Sequence, residues 1–257
     1  MSKSLLIFKK YIRSFVAVVF SLILMFSSVD TVLANDWTFA DDFESRNLGD
    51  LNGQGGWAVT NYYGNSGNTV NVSATNPVAG TKYVEITNND SLIAVRSITP
   101  INSGIFQFRM RHNKSGLFYF YALTSDQGGQ LLFSIQFTES NGILLEEANK
   151  QITLLPDYNA DQWYLFTVDF DKTRGSRGTF KIKIDDGSYS EYEYVHSESA
   201  IFDFAQMVFG SDSDGTAVSA FDAIDSGATI SLVSASTISN VGMLGTVFDA
   251  VDNILGL

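Results

Sequence analysis

The strongest constraint on the fold of this chain is a series of short segments in which apolar and polar residues alternate. From Ala58 onward these segments are rich in Val, Ile, Phe, Tyr and Thr, and Gly, Asn, Asp and Ser separate them. Successive side chains of a β-strand point to opposite faces, so each segment predicts a strand with one buried and one exposed face. Many short strands without an intervening helix predict an all-β, two-sheet antiparallel jelly-roll sandwich.

The predicted strands are spread over nearly the whole chain after the opening residues. They cover residues 68–73, 82–87, 91–98, 104–112, 116–123, 130–138, 142–147, 151–155, 162–171, 178–185, 189–195, 202–210, 218–224 and 228–234. Alternation assigns a core set to them, namely Phe106, Phe108, Met110, Phe118, Phe120, Ala122, Tyr164, Phe166, Val168, Phe170, Phe180, Ile182 and Ile184. The opposite faces are polar, charged and rich in tyrosine.

Residues 1–34 have the three parts of a secretory signal peptide. A basic start precedes an apolar stretch from Phe15 to Phe26, and small residues surround Ala34. The uncharged stretch is shorter than the ~20 residues that a bilayer-spanning helix needs, which favours cleavage near Ala34 over a retained anchor. We therefore expect a secreted protein, extracellular or periplasmic, whose sandwich domain covers residues 35–235.

Residues 236–257 depart from the strand pattern and predict an amphipathic C-terminal helix. Leu244, Phe248 and Val251 belong to an apolar stripe with helical spacing, and Asn240 is placed to cap its start. The segment contains no Lys or Arg and so lacks the basic face of a membrane-binding helix. We expect it to dock on the sandwich or on an unknown partner.

Charge and cysteine content exclude several classes of function. The whole chain carries a net charge of −12, and because the leader holds four basic residues and one acidic residue, the remainder carries −15. A chain this acidic repels nucleic acid and anionic membrane surfaces. The absence of cysteine excludes disulfides, thiolate metal sites and cysteine nucleophiles.

Four stretches resemble landmarks of bacterial concanavalin A-like lectin/glucanase domains, the group that includes LamG-like modules. DDFESRNLGDLNGQGGW (41–57) is similar to their first strand and its loops, and FQFRMRHNKSGLFYFYAL (106–123) to their paired central strands. QWYLFTVDFDKTRGSRGTFKIKID (162–185) resembles the next hairpin, and SAFDAI (219–224) the closing strand beside the first. The resemblance implies a sandwich that Trp57 closes at one end, and it covers lectins, carbohydrate-binding modules, glycosidases and polysaccharide lyases alike.

The resemblance also implies a structural Ca²⁺ ion bound by the closing strand. The matching residue is Asp222, and Asp41 or Asp42 is expected to contribute from the first strand. Hard carboxylate oxygens are the ligands that Ca²⁺ prefers. Apart from this ion we expect no cofactor.

A glycan-binding groove is predicted on an open sheet face. Planar polar groups and aromatic rings hold sugars, and such groups alternate with the core set at seven positions, namely Gln107, Arg109, Arg111, Tyr119, Tyr121, Ser134 and Gln136. The alternative is an ordinary solvated face with cross-strand Arg–Tyr pairs.

Catalytic alternatives have weaker support in the sequence. The nearest match to the acidic strand of retaining glucanases is EYEYVHSE (191–198), which lacks the middle Asp, and Glu146 and Glu147 are neighbours that face opposite sides of a strand. A lyase of this fold would use Arg111, Tyr119 and Tyr121, but His112 falls on the opposite face from Arg111.

The sequence thus favours a secreted, non-catalytic carbohydrate-binding or adhesive module of lectin type whose partner is a polysaccharide. Two alternatives stay open: a polysaccharide lyase or glycoside hydrolase of the same fold, and a structural protein of the envelope or matrix that binds no sugar.

Overall fold

The computed structural model describes residues 39–61, 64, 66–88, 90–124, 129–148, 150–196, 203–213 and 216–225. The predicted signal peptide (1–34), the strand at 228–234 and the C-terminal helix (236–257) lie outside these residues. The described part contains sixteen strands and a short 3-10 helix at Gln54–Gly56. No helix in this part is long and apolar enough to cross a membrane.

The strands form two antiparallel sheets, which confirms the predicted jelly-roll sandwich. Sheet A has nine strands: β1 (Ala40–Asp41), β2 (Gly49–Asp50), β4 (Thr69–Ser73), β5 (Tyr83–Asn88), β7 (Ser103–His112), β12 (Tyr164–Asp171), β13 (Thr179–Ile184), β14 (Ser190–Glu193) and β16 (Ala217–Asp225). Their order is β14-β13-β12-β7-β16-β5-β4-β2, and β1 also pairs with β16.

Sheet B covers the other side of the core with seven strands. They are β3 (Trp57–Asn61), β6 (Leu92–Ile101), β8 (Leu117–Thr124), β9 (Leu131–Thr138), β10 (Gly142–Glu147), β11 (Lys150–Leu155) and β15 (Phe204–Asp212), in the order β11-β10-β9-β8-β15-β6-β3.

Aromatic rings fill the space between the sheets. Phe108 of sheet A lies 4.4 Å from Phe120 of sheet B, and Phe209 stacks on Phe221 at 4.0 Å, in each case between ring centroids. The predicted core set is buried, except that Ile184 at the end of β13 is only partly buried. Burial of this much apolar surface accounts for a fold that has no disulfide to stabilise it.

The opening stretch closes one end of the sandwich, as predicted. The Trp57 side chain is 1% exposed, and its ring lies 5.3 Å from that of Phe221. Its Nε1 donates a hydrogen bond to Asp41 Oδ2 at 2.9 Å. The indole therefore belongs to the core and does not provide a surface for sugars.

The expected pairing of β7 with β8 is wrong, because the chain changes sheets between them. β7 pairs with β12 and β16, whereas β8 pairs with β9 and β15. The turn that connects β7 of sheet A to β8 of sheet B has positive φ at Lys114 (65°) and Gly116 (77°). A Cβ on Gly116 would lie 2.5 Å from the Asp212 carbonyl oxygen, so this crossing requires glycine.

Candidate functional site

The seven predicted groove residues do not form one groove. Gln107, Arg109 and Arg111 point outward from sheet A, because Phe106, Phe108 and Met110 of the same strand point inward. Tyr119, Tyr121, Ser134 and Gln136 point outward from sheet B. The two sets lie on opposite surfaces of the sandwich, and the core separates them.

The sheet A set is engaged in packing within its own face. The Arg111 guanidinium packs against the rings of Tyr83 and Trp163, 5.1 and 5.0 Å from their centroids. Its Nη2 donates to Tyr83 Oη at 3.1 Å and lies 3.5 Å from Glu85 Oε2. Arg111 is 8% exposed. This is the Arg–aromatic packing that was the alternative to a binding groove.

The two other members of this set are also placed by cross-strand pairs. Gln107 Nε2 donates to Thr167 Oγ1 at 3.1 Å, and Arg109 lies opposite Asp222 on β16 and Leu165 on β12. The outer face of sheet A therefore carries basic and acidic residues around Arg109, and the rings of Tyr83 and Trp163 beside Arg111.

The sheet B set gathers around two tyrosines. Across the sheet, Tyr121 lies opposite Ser134, and Ser134 lies opposite Glu146. Tyr119 lies opposite Gln136 in the neighbouring row. We call these five residues the tyrosine face: Tyr119, Tyr121, Ser134, Gln136 and Glu146.

The tyrosine pair has a defined geometry. The two rings are stacked, with centroids 4.3 Å apart and planes 22° apart. Tyr119 is 9% exposed and extends across β15, where a Cβ on Gly210 would come within 2.4 Å of its ring and hydroxyl atoms. Tyr121 is more exposed and forms the outer of the two rings. Gly210 thus provides the space that Tyr119 occupies.

A chain of hydrogen bonds runs beside the rings. Gln136 Nε2 donates to Ser134 Oγ at 3.0 Å, and Ser134 Oγ donates to Glu146 Oε2 at 3.3 Å. Ser134 is fully buried although it lies on the outer face, so neighbouring side chains cover it. Sequence reasoning missed Glu146, since Glu146 and Glu147 were considered only as a catalytic pair.

The electrostatics of the face raise the pKa of Tyr121. Burial of the phenol is the main cause, and the negative charges of Glu146 and Asp212 act in the same direction. The phenol is therefore held in its neutral, hydrogen-bonding form. A neutral tyrosine can stack on a sugar ring and exchange hydrogen bonds with hydroxyl groups.

His112 lies away from this face, between the two sheets. It is fully buried, and its Nδ1 lies 2.9 Å from Ser219 Oγ. Burial lowers its pKa to about 4. Phe118 and Tyr158 pack near its ring, so the imidazole is part of the core.

The predicted metal ligands do not come together as a set. Asp41 already accepts hydrogen bonds from Trp57 Nε1, Arg46 Nη2 and the backbone N–H of Phe43, whereas the exposed Asp42 caps Glu44. In the described residues no cluster of three or more His, Cys, Asp or Glu side chains has metal-binding geometry.

Asp222 alone has features that suit a cation. Its carboxylate is fully buried, and burial raises its pKa to about 6, while the charge of nearby Glu44 acts in the same direction. Backbone N–H groups of Ala223 and Ala79 donate to it at 2.7 and 3.3 Å. A carboxylate oxygen fits the chemistry of Ca²⁺, whereas the Glu44 carboxylate already accepts hydrogen bonds from Thr81 and from the backbone N–H of Lys82.

A separate cleft opens at the sandwich edge, between β11 of sheet B and β12–β14 of sheet A. It has a volume of about 380 Å³ and is lined by Leu154, Leu155, Tyr164, Ile182, Lys183, Ile184, Asp185, Gly187, Ser188, Ser190 and Tyr192. Its lining combines four aliphatic side chains with two tyrosines and several polar or charged residues. The tyrosine face, with aligned polar groups over several strands, is the better candidate for an extended polar ligand.

Comparison with solved structures supports the fold. The chain is similar to a sialidase (TM-score 0.58, 11% identity), with 74% of this chain and 18% of the sialidase covered, so it spans less than a fifth of that protein. It is also similar to the cellulose-induced protein Cip1 (TM-score 0.50, 16% identity, 73% and 95% covered) and to the alginate lyase Aly36B (TM-score 0.51, 12% identity, 73% and 96% covered). These likenesses agree with a concanavalin A-like sandwich.

Comparison at the level of sequence gives no further match. No family model matches the chain, and no curated protein matches it.

Proposed function

We propose that this protein is an exported carbohydrate-binding module that holds a polysaccharide on the tyrosine face. The observation that carries the proposal is the stacked Tyr119–Tyr121 pair beside the Gln136–Ser134–Glu146 hydrogen-bond chain. Stacked rings supply apolar contact for the sugar face, and amide, hydroxyl and carboxylate groups supply partners for its hydroxyls. Export rests on the predicted signal peptide, and kinship with LamG-like modules is part of the same proposal.

The structural neighbours support a role with carbohydrates. Their names describe a sialidase, a cellulose-induced protein and an alginate lyase. These proteins share the sandwich fold with this chain.

Binding without catalysis is favoured over a lyase by the state of the candidate acid and base groups. A lyase base must lose a proton readily, but burial and two acidic neighbours raise the pKa of Tyr121. The predicted lyase partner Arg111 belongs to the opposite sheet, where it packs against Tyr83 and Trp163. His112 is buried in the core.

We further propose that Ca²⁺ binds at Asp222. The buried carboxylate is on β16 where that strand meets the first strand, so the ion would hold the closing strand to the loop at Ala79. This is a structural role, distant from the tyrosine face on the other sheet.

The test is affinity electrophoresis of the purified protein through gels that contain soluble polysaccharides. We expect Tyr121→Ala to weaken retention by roughly tenfold, or ~1.4 kcal/mol, because the outer ring of the pair is lost. Tyr189→Ala is the matched control, since Tyr189 is an exposed tyrosine in the loop between β13 and β14 of sheet A. Equal retention of the two variants would place the ligand elsewhere.

A further inference from the structure

The charges around the tyrosine face point to the class of glycan that it takes. We propose that this face binds an uncharged polysaccharide and discriminates against polyuronates. The inference rests on the proposed function and adds the chemical selectivity of the site, which differs from what the name of one structural neighbour, an alginate lyase, would suggest.

The first observation is where the basic residues lie. Every Lys and Arg after residue 38 lies in the described part of the chain, and none occupies a strand position that points outward from sheet B. These residues are Arg46, Lys82, Arg96, Arg109, Arg111, Lys114, Lys150, Lys172, Arg174, Arg177, Lys181 and Lys183. A bound uronate would therefore find no cation from these strands beneath it.

The basic residues have other partners or point elsewhere. Arg109, Arg111, Lys181 and Lys183 project from the outer face of sheet A, because they alternate with core residues of β7 and β13. Four ion pairs engage a further group: Arg46–Asp41, Lys114–Asp157, Lys172–Asp203 and Arg174–Asp169.

The remaining four basic residues are also directed away from the tyrosine face. Lys82 Nζ donates to the carbonyl groups of Glu44 and Arg46, and Arg177 Nη2 donates to that of Val195. Arg96 lies over the Phe39 ring, in the same row as Trp57. Lys150 lies opposite Glu147. Both occupy strand positions of the same orientation as Leu145, which faces the core.

The second observation is that the face carries acidic residues. Glu146 accepts the Ser134 hydroxyl within the face, and the exposed Asp212 lies opposite Leu117 at its border. Both charges reach Tyr121, since both raise its pKa. A carboxylate on every sugar would meet two like charges, and like charges at such distances repel one another.

The polar groups that remain suit hydroxyls. The amide of Gln136 and the hydroxyl of Tyr121 can donate and accept hydrogen bonds. An uncharged sugar offers the same two capacities and loses little on desolvation compared with a carboxylate. The face thus combines favourable stacking with a charge pattern that selects against anionic chains.

The experiment compares dissociation constants for a soluble uncharged β-glucan and for alginate and polygalacturonate at two ionic strengths. We expect binding of at least one uncharged polysaccharide, and polyuronate binding at least tenfold weaker. The dissociation constant for the uncharged polysaccharide should change by less than twofold between the two salt concentrations.

Charge variants test the cause directly. The double variant Glu146→Gln/Asp212→Asn is expected to strengthen polyuronate binding relative to the uncharged chain by roughly three- to tenfold, because both repulsive charges are gone. Asp186→Asn is the matched control, an exposed aspartate in the loop between β13 and β14 that lies on neither face of sheet B. This variant should leave the ratio of polyuronate affinity to uncharged-polysaccharide affinity unchanged.

The outcomes separate this inference from the proposed function. Polyuronate binding that equals or exceeds that of the uncharged chain and depends on Tyr121 would overturn the inference and leave the binding face intact. An unchanged ratio in the double variant would overturn it as well. Binding that is insensitive to Tyr121→Ala, or absent for every polysaccharide, would overturn the proposed function and the inference with it.

Discussion

Single residues at the closed end of the sandwich have roles that their chemistry alone does not reveal. Asp41 was expected to bind a metal, yet its buried carboxylate satisfies Trp57 Nε1, Arg46 Nη2 and the N–H of Phe43. The carboxylate connects the first strand to the core aromatic residues. Asp42, its neighbour in sequence, follows the end of β1 and is exposed.

We therefore expect Asp41→Ala to destabilise the fold by about 2–4 kcal/mol. The change leaves the Trp57 N–H and the Arg46 guanidinium without their acceptor in a buried place. Chemical denaturation followed by tryptophan fluorescence measures the loss. Asp42→Ala is the matched control and should cost under about 1 kcal/mol, and similar losses in the two variants would contradict the role of Asp41.

His112 makes stability depend on pH. Burial lowers its folded pKa to about 4 from the usual 6.5, against smaller opposing effects of the backbone of Gly116 and Ser115 and of Asp161. The unfolded chain therefore takes up a proton at a higher pH than the folded chain does. The fold has the full stability contributed by neutral His112 above about pH 6.5 and loses it as the pH falls toward 4. We expect His112 alone to contribute a loss of roughly 2 kcal/mol between pH 7 and pH 5, part of which Asp222 offsets.

Denaturant titrations at the two pH values measure this loss, with His112→Gln expected to remove most of it. His196→Gln is the control at the other histidine, which is exposed. Asp222 acts in the opposite direction, because its raised pKa of about 6 makes the fold gain stability as the pH falls through that value. If His112→Gln leaves the pH dependence of the unfolding free energy unchanged, His112 is not its cause.

The proposed Ca²⁺ site at Asp222 predicts a stability that depends on the ion. At pH 7 the buried carboxylate is charged next to Glu44, and a bound cation would compensate both. We expect Ca²⁺ at about 100 times its dissociation constant to raise Tm by roughly 5 °C relative to a chelator. Asp222→Asn should abolish the rise, and a rise that persists in this variant would place the ion elsewhere.

At the scale of strands, the contact between β8 and β15 determines the position of the tyrosine pair. A methyl group on Gly210 would overlap the Tyr119 ring. Gly210→Ala should therefore push the ring away from β15, weaken glycan retention by roughly three- to tenfold, and change the unfolding free energy by about 1 kcal/mol or less. Retention equal to that of the unchanged protein would mean that Tyr119 does not contribute.

The strands also show which features of the fold can be predicted from the sequence. Alternation correctly separated Phe106, Phe108 and Met110 from Gln107, Arg109 and Arg111, because the side-chain period of two is local. It did not reveal that β7 and β8 belong to different sheets, since that depends on long-range pairing. The outward faces of both sheets follow the same pattern, so two surfaces were predicted as one.

At the scale of the whole molecule, the two outer surfaces of the sandwich differ in chemistry. Sheet A carries interleaved basic and acidic side chains, with Lys181 opposite Asp169 as one example. Sheet B carries stacked tyrosines, uncharged polar groups and a few acids. The fold class, the core and the closed end follow from the sequence, whereas this division of surface chemistry becomes visible only once strands are assigned to sheets.

The most direct test of the binding face is a titration of the ¹⁵N-labelled protein with a soluble uncharged oligosaccharide, followed by amide chemical shifts. We predict that the largest shifts cluster at Tyr119, Tyr121, Ser134, Gln136 and Glu146. Shifts that cluster instead around Arg109 and Arg111 on sheet A, or around the cleft between Leu155 and Tyr192, would contradict the assignment.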